Sequence, residues 1–389
     1  MSGGSDSVAL LVLLAEWSRD GGPRIEAVTV DHGLRPEAAA EAAAVADLCV
    51  GLGVPHSLAV WTWDGRGNLA DAARRGRLGL IAAWADGRGI GNVALGHTLD
   101  DQAETVLMRL ARGSGVDGLS GMAVRRRSGT VTWWRPMLDI ARAELRSYLS
   151  GRGIAWADDP TNDDPSHDRV LARRLLEGLR PLGLSPQRLA QTAGWMRLAR
   201  PVLDGATAGL ARAAVRVEHG EVAIDRAPFA EAQPETRLRL LSGILRWLDG
   251  ADYRPRLAPL AEAEAAVRAG GRRTLSGCLL DGRARSVIRI ARESAAVGAP
   301  VAVGQVWDGR WRVEGPVRPG LRVAALGAGG LALCPDWREA GLPRRVLEVS
   351  PAVWDGDRLV AAPLVQPGGL WRAVATRDAE DLLDALIAH

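Results

Sequence analysis

Apolar positions in the first half of the chain alternate between two spacings. Residues 8–20 (VALLVLLAEWSRD) predict a helix, and 25–31 (IEAVTVD) form the short β-branched run that a buried strand requires. An Ala-rich stretch over 36–53 predicts a second helix, opened by Pro36, whose ring pre-sets the first helical turn. Residues 57–62 and 93–96 read as further strands, with a helix near 69–86 between them. This βαβα rhythm predicts a parallel sheet with helices on both faces. The stretch 185–295 is richer in helix, and 235–249 (ETRLRLLSGILRWLD) places apolar residues at helical spacing. Residues 272–292 read as strands joined by a turn at Asp281-Gly282. From about 300 onward, Gly, Pro, short apolar runs and turn signals such as Trp307-Asp308-Gly309 predict a small β-rich end. The expected class is therefore α/β over 1–185, then a mostly helical domain over 186–295 and a β-rich domain over 296–389.

Composition narrows the chemistry. A chain of 389 residues exceeds one compact core, and 47% hydrophobic with 24% charged residues is ordinary for a globular protein. No apolar run is long enough to span a bilayer, and the opening MSGGSDS lacks a secretory leader, so a cytoplasmic location is expected. All 49 basic residues are arginine. Without lysine, neither a Walker A loop nor a Schiff-base enzyme is available. The net charge of +3 permits a polyanionic partner without requiring one, and any RNA footprint is expected as a local arginine patch. Cys49, Cys278 and Cys334 form no CxxC pair and no metal spacing, and read as buried or incidental thiols.

Four stretches carry candidate chemistry. Ser2-Gly3-Gly4-Ser5-Asp6-Ser7 runs straight into the first apolar helix. Adjacent glycines let the backbone turn its N–H groups inward, and the helix start offers its positive end to an anion. Ser2, Ser5 and Ser7 add hydroxyls, and Asp6 suits a magnesium ion beside phosphates. Gly96-His97-Thr98-Leu99-Asp100-Asp101-Gln102-Ala103-Glu104-Thr105 follows a predicted strand, at the edge where open α/β sheets bind ligands. If 100–112 is helical, Asp101, Glu104, Met108 and Arg112 share one stripe, while Ala103, Val106, Leu107 and Leu110 face the core. The two carboxylates suit the helix dipole, a cationic substrate or a proton from an amine, and the pattern alone does not choose among them. The third stretch is Val30-Asp31-His32-Gly33-Leu34-Arg35, and the fourth is Asp158-Asp159-Pro160-Thr161-Asn162-Asp163 leading to Arg169, Arg173 and Arg174. The third also reads as a loop with a capping aspartate; in the fourth, Arg169 and Arg173 lie one helical turn apart and could clamp phosphate, but by itself the stretch reads better as turn chemistry followed by a solvated helix face.

In this order, and together with WRPMLDIARAELRSYL and the long run GHTLDDQAETVLMRLARGSGVDGLSGM, these stretches resemble the tRNA(Ile)-lysidine synthases, within the N-type ATP pyrophosphatases. The resemblance implies ATP and Mg2+ as cofactors. It implies an isoleucine tRNA with a CAU anticodon and free L-lysine as substrates, and leaves a homodimer open. It further implies adenylation of the wobble cytidine, then attack by lysine to give lysidine with release of AMP. Ser2 to Ser7, His32 and His97 would hold ATP, with Asp6 at the metal; Asp101 and Glu104 would seat the lysine ammonium; Arg112 and Arg169 would stabilise phosphate charge.

Two departures accompany the resemblance. Relatives carry a β-strand just before the phosphate loop, where only Met1 stands here. The expectation is a start codon called too late, with a truncated tRNA-binding protein as the alternative. Either predicts unpaired strands beside a gap. The family's arginine-asparagine pair near 169–170 is Arg169-Val170 in this chain. Among enzymes the rival is a tRNA thiolase with the same phosphate loop, which generally depends on paired or catalytic cysteines.

Overall fold

A computed structural model of the chain describes residues 1–33, 38–63, 65, 69–157, 168–251 and 253–387. Leu34, Arg35, Pro36 and the 158–163 turn lie outside the described residues. Contacts divide the chain into two compact units, residues 1–200 and 201–388.

In the first unit, α1 (Ser5–Arg19), β1 (Ala27–Asp31), α2 (Ala38–Leu52), β2 (His56–Val60), α3 (Leu69–Asp86) and β3 (Asn92–Ala94) follow in alternating order. After them come α4 (Leu99–Ala111), α5 (Val116–Leu119), the hairpin of β4 (Arg125–Ser128) and β5 (Val131–Trp134), α6 (Arg142–Ser150) and α7 (Asp168–Leu179). The long helix α8 (Pro186–Ala214) begins in this unit, and the division falls at Pro201 inside it. β1 pairs parallel with β2, β3 parallel with β5, and β4 antiparallel with β5. Among the described residues no ladder joins β1 to β3, so the strands form two sheets, β1-β2 and β3-β5-β4. The amino group of Met1 lies beside β1 and donates to the Val28 carbonyl.

The apolar run VALLVLL explains the place of α1. A helix that is hydrophobic all round has to be covered all round. Val8, Ala9 and Val12 pack with Met137, Leu145 and Leu149, while Leu11 and Ala15 pack with Val45 and Cys49 of α2. Each fully buried aliphatic side chain contributes about 1.5–3 kcal/mol, so this helix start is held firmly where the phosphate-loop residues leave it. On α4, Ala103 and Val106 are buried against Leu176 of α7 and Leu189 and Ala193 of α8. Leu110, expected on the same face, is instead 52% exposed, because that cover ends at Leu107.

The second unit opens with the rest of α8 and β6 (Val215–Glu218), β7 (Glu221–Asp225), α9 (Arg226–Glu231), α10 (Pro234–Asp249) and α11 (Leu257–Arg268). Next are β8 (Arg272–Leu275), β9 (Cys278–Asp281) and β10 (Val287–Arg292). The helices pack on a five-stranded antiparallel sheet of order β6-β7-β10-β9-β8. The periodicity shows the helices and β8 to β10, but not β6 and β7, which are short and continue directly from α8. The chain does turn after Asp281, between the antiparallel strands β9 and β10, and a further turn precedes β9. Ser276 and Gly277, at φ 52° and 61°, close the two-residue loop between β8 and β9. Gly282 serves a different purpose: a Cβ there would lie 2.2 Å from the Val267 carbonyl oxygen, so it permits α11 to approach the sheet.

The remaining elements are β11 (Val301–Ala302), β12 (Val306–Trp307), β13 (Trp311–Glu314), β14 (Leu321–Ala325), α12 (Gly327–Ala332), α13 (Arg344–Glu348), β15 (Pro351–Asp355), β16 (Arg358–Ala361), β17 (Arg372–Ala375) and α14 (Ala379–Ile387). They build two antiparallel sheets, β11-β14-β15-β16 and β12-β13-β17. The last helix returns to the neighbouring core: Leu382 and Leu386 of α14 are buried with Leu240, Ile244 and Leu248 of α10. No helix among the described residues is long and apolar enough to cross a membrane.

Because the clash at Gly282 is with main chain, Gly282→Ala is expected to destabilise the protein by about 1–3 kcal/mol. Urea unfolding measures this; an unchanged midpoint would return Gly282 to the role of an ordinary loop residue.

Candidate active site

The first turn of α1 is built to face a ligand. Gly3 sits at φ +75°, in the left-handed region that favours glycine, and Gly4 caps the helix without any side-chain cap hydrogen bond. The N–H groups of the first turn therefore lack intrahelical acceptors at the positive end of the helix. Around them the hydroxyls are ordered: Ser2 Oγ donates to Ser7 Oγ at 3.1 Å, Ser7 Oγ to the Gly4 carbonyl at 3.0 Å, and Ser5 Oγ to Asp6 Oδ1 at 3.1 Å.

The second motif reaches this turn through a glycine. A Cβ on Gly96 would stand 3.0 Å from the Asp6 carbonyl oxygen and 3.2 Å from Ser7 Cα, so a glycine lets the chain after β3 run along the start of α1 without pressing on its main chain. Thr98 then starts α4 with a capping box: its N–H and Oγ donate to Asp101 Oδ2 at 2.9 and 3.0 Å, and the Asp101 N–H donates back to Thr98 Oγ at 3.4 Å. One oxygen of Asp101 is thereby fixed. One turn on, Glu104 is 1% exposed, and its Oε2 has no hydrogen-bond partner. Both carboxylates line a cleft of about 1010 Å³ that is also lined by Ser2, Gly4, Ser5, Asp6, Ser7 and His97.

Five arginines line this cleft, and Arg77, Arg142, Arg169 and Arg173 among them set its electrostatics. Arg142, the first residue of α6, donates through Nε to Asp6 at 2.9 Å and through Nη2 to Asp101 at 3.3 Å, with Nη1 3.8 Å from Glu104. Arg173 of α7 donates to Glu104 Oε1 at 3.0 Å. Arg77 of α3 and Arg169 of α7 make no hydrogen bond or ion pair among the described residues. Burial, and repulsion from Arg74 and Arg169, hold Arg77 below the usual arginine range. Burial pushes the Asp101 carboxyl up, but Arg142 and the Thr98 N–H outweigh it and leave the group below its usual range. For Glu104 burial wins over Arg173, and the carboxyl titrates above its usual range. Burial pushes the His97 imidazolium down to about 4 against the pull of Asp101, so the ring is neutral at pH 7.

Some expected residues stand elsewhere. His32 is not among the cleft-lining residues and packs edge-on against Trp61, with ring centroids 5.6 Å apart. Gly3 is also outside the lining and turns the loop at φ +75°. Arg112 is outside the lining as well, paired at 2.8 Å with Asp168 on the rim. Parts of the long motif serve the fold. Gln102 exchanges hydrogen bonds with the Met122 main chain, and Arg109 donates to the carbonyls of Gly118 and Gly121. Arg77 and Arg142 are the functional candidates that the spacing of motifs misses. Arg142 lies inside the quoted run ARAEL, yet nothing local marks it, since its partner Asp6 is 136 positions away. The three cysteines are free and buried, and burial pushes the Cys278 thiol up to about 11, the reverse of an activated nucleophile.

Residues 1–181 match the PP-loop domain family. Over its whole length the chain is 47% identical to a tRNA(Ile)-lysidine synthase of Ruegeria pomeroyi, covering 100% of this chain and 93% of that one. The chain belongs to the tRNA(Ile)-lysidine synthase family. Synthases of that name from Rhizobium meliloti, 36% identical over 92% of this chain and 82% of its relative, and from a Bradyrhizobium species, 40% identical over 75% and 88%, agree with this membership. Among solved structures the chain is similar to the U34-tRNA thiolase NcsA from Methanococcus maripaludis with its 4Fe-4S cluster. That likeness has a TM-score of 0.44 at 18% identity, over 50% of this chain and 70% of that one, and carries no weight.

The charge around Glu104 yields a pH prediction. Arg173 lowers the Glu104 pKa, so Arg173→Met is expected to raise it further. If ionised Glu104 is required, the acidic limb of the pH–rate profile then moves to higher pH, readable in kcat/KM for the amine substrate. An unmoved limb would remove Glu104 from the groups that govern it.

Proposed function

We propose that this protein converts the wobble cytidine of an isoleucine tRNA bearing a CAU anticodon into lysidine, using ATP, magnesium and free L-lysine. The observation that carries the reading is the meeting, in one cleft, of an uncapped helix start rich in serine with a buried carboxylate pair. The first suits a triphosphate and the second an ammonium, and a ligase that activates with ATP and then admits an amine needs both.

In this reading the Ser2–Ser7 loop and the α1 N-terminus hold the triphosphate, with Arg77 and Arg169 facing its charge. Guanidiniums in a partly dry cleft are suited to anionic oxygens, which they grip in a planar, two-pronged manner. Magnesium fits beside Asp6, because one carboxylate, serine hydroxyls and phosphate oxygens make the oxygen-rich shell this ion takes. When bound it would neutralise charge on the phosphates. Cytidine O2 bonds to the α-phosphorus as pyrophosphate leaves. An amine of lysine then bonds to C2, the C2–O2 bond breaks, and AMP departs. The amine attacks only when neutral, so its proton has to go to a base. Glu104, with its raised pKa and open Oε2, is the better matched acceptor, while Asp101, held ionised, anchors the ammonium. His97, neutral at pH 7, presents a ring to the nucleotide without adding charge. Arg112 contributes at the rim through Asp168. The wobble base must leave its stack to enter such a cleft, as single-stranded RNA readers generally require. In this reading residues 186–295 bind the tRNA, arginines from about 169 to 200 and in the β-rich final stretch meet its backbone, and the reaction belongs to the cytoplasm.

The test is incorporation of labelled L-lysine into that tRNA, with pyrophosphate release followed separately. Asp6→Ala is expected to abolish both. Glu104→Ala should leave most pyrophosphate release and lower lysine incorporation by roughly 100-fold or more, the range of a lost general base. Full activity in both variants would overturn the site assignment.

A further inference from the structure

One guanidinium touches both halves of the cleft. Arg142 contacts Asp6 from α1 and both Asp101 and Glu104 from α4, and its side chain is only 19% exposed. Its main-chain N–H also donates to Asp100 Oδ2 at 2.7 Å, which pins the start of α6 to the start of α4. The group is thus held by its backbone, while its side chain lies between three carboxylates of the two ligand subsites. A guanidinium offers five N–H donors in one plane and can serve three acceptors at once; an ammonium cannot span them.

We propose that Arg142 is a positioning residue that couples nucleotide binding to amine binding. In the ligand-free protein its Nη edge occupies the seat of the substrate ammonium, and phosphates at the Ser2–Ser7 loop draw it off Asp101 and Glu104. The inference rests on the functional reading above, and it follows from competition among the same few contacts. Asp101 has one oxygen committed to the Thr98 cap, so Oδ1, which faces Arg142, is the oxygen an ammonium must take. Glu104 has one oxygen on Arg173 and one unpartnered. With Arg142 in place, a second cation entering there meets like charge. Once a triphosphate gives Arg142 a new anion beside Asp6, both carboxylates are released toward the amine. Coupling of this kind is reciprocal: whatever nucleotide does for lysine affinity, lysine does for nucleotide affinity.

The experiment measures the Kd of labelled L-lysine on the full chain, by equilibrium dialysis, with and without magnesium and α,β-methylene-ATP. Wild type is expected to bind lysine about tenfold more tightly with the analogue, within the usual range of coupling free energies. Arg142→Met is expected to bind lysine without nucleotide about as tightly as wild type does with it, so that the two Kd values converge. A gain in affinity is something that a merely structural role, or a misfolded variant, does not produce. Arg142→Lys keeps a charge at Asp6 but cannot cover all three carboxylates, and should show an intermediate ratio; it serves as the second variant if the methionine form fails to fold. A wild-type ratio near one, or lysine binding in Arg142→Met that is unchanged or weaker without nucleotide, overturns the coupling. If folded wild type binds neither lysine nor the nucleotide, the functional reading itself falls, and the coupling with it.

Discussion

The chain after β3 runs so close to the first turn of α1 that a Cβ at Gly96 would press on the Asp6 carbonyl oxygen at 3.0 Å. Much of the catalytic unit follows from that approach. It brings the anion-facing start of α1 against the strand end from which α4 departs, so the serine-rich loop and the carboxylate pair open into one cleft. The approach is fixed from both sides. α1 is apolar around its circumference and wedged between α2 and α6, and α4 is locked by the Thr98–Asp101 capping box and by Arg142 on Asp100. A site that holds reacting groups in line gains from this rigidity, because small displacements of such groups cost much in rate.

Within the cleft the charge is of an unusual kind, since a chain without lysine has only guanidinium to offer. Guanidinium is planar, weakly hydrated and permanently charged, and is therefore suited to partly buried pairing. Glu104 shows how finely this is balanced. It is almost fully buried, has a guanidinium on one oxygen and nothing on the other, and titrates above the usual carboxylate range. An unsatisfied buried carboxylate oxygen is costly, and an ammonium is the kind of group that removes the penalty.

The second unit uses arginine differently. Glu221 and Asp281, both nearly buried on the five-stranded sheet, are bridged by Arg345 from α13, with Arg289 on Glu221 and Arg272 and Arg283 on Asp281. Arg310 donates to the Gly220 carbonyl, and α14 seats its leucines against α10. The β-rich final stretch and the helix–sheet stretch before it thus share buried polar contacts as well as apolar core. Breaking one partner of such a buried pair leaves an uncompensated charge, so these links resist separation.

The amino-acid sequence by itself determined the order of helices and strands in the first unit, the family, and the residues of the two central motifs. Those signals are local: a period of apolar residues, a glycine pair before a helix, a cap three residues ahead of its partner. Leu110, the Ser276-Gly277 turn and the strands β6 and β7 escaped it, because each depends on what lies opposite, and periodicity carries no information about neighbours. The same limit hid Arg77 and Arg142, two arginines among 49 with no local mark. Only the tertiary structure decided that one of them would lie among three carboxylates and that the other would line the cleft. The reason is physical: a charge acquires its role from the groups within a few ångströms of it, and those groups are brought there by packing from distant parts of the chain.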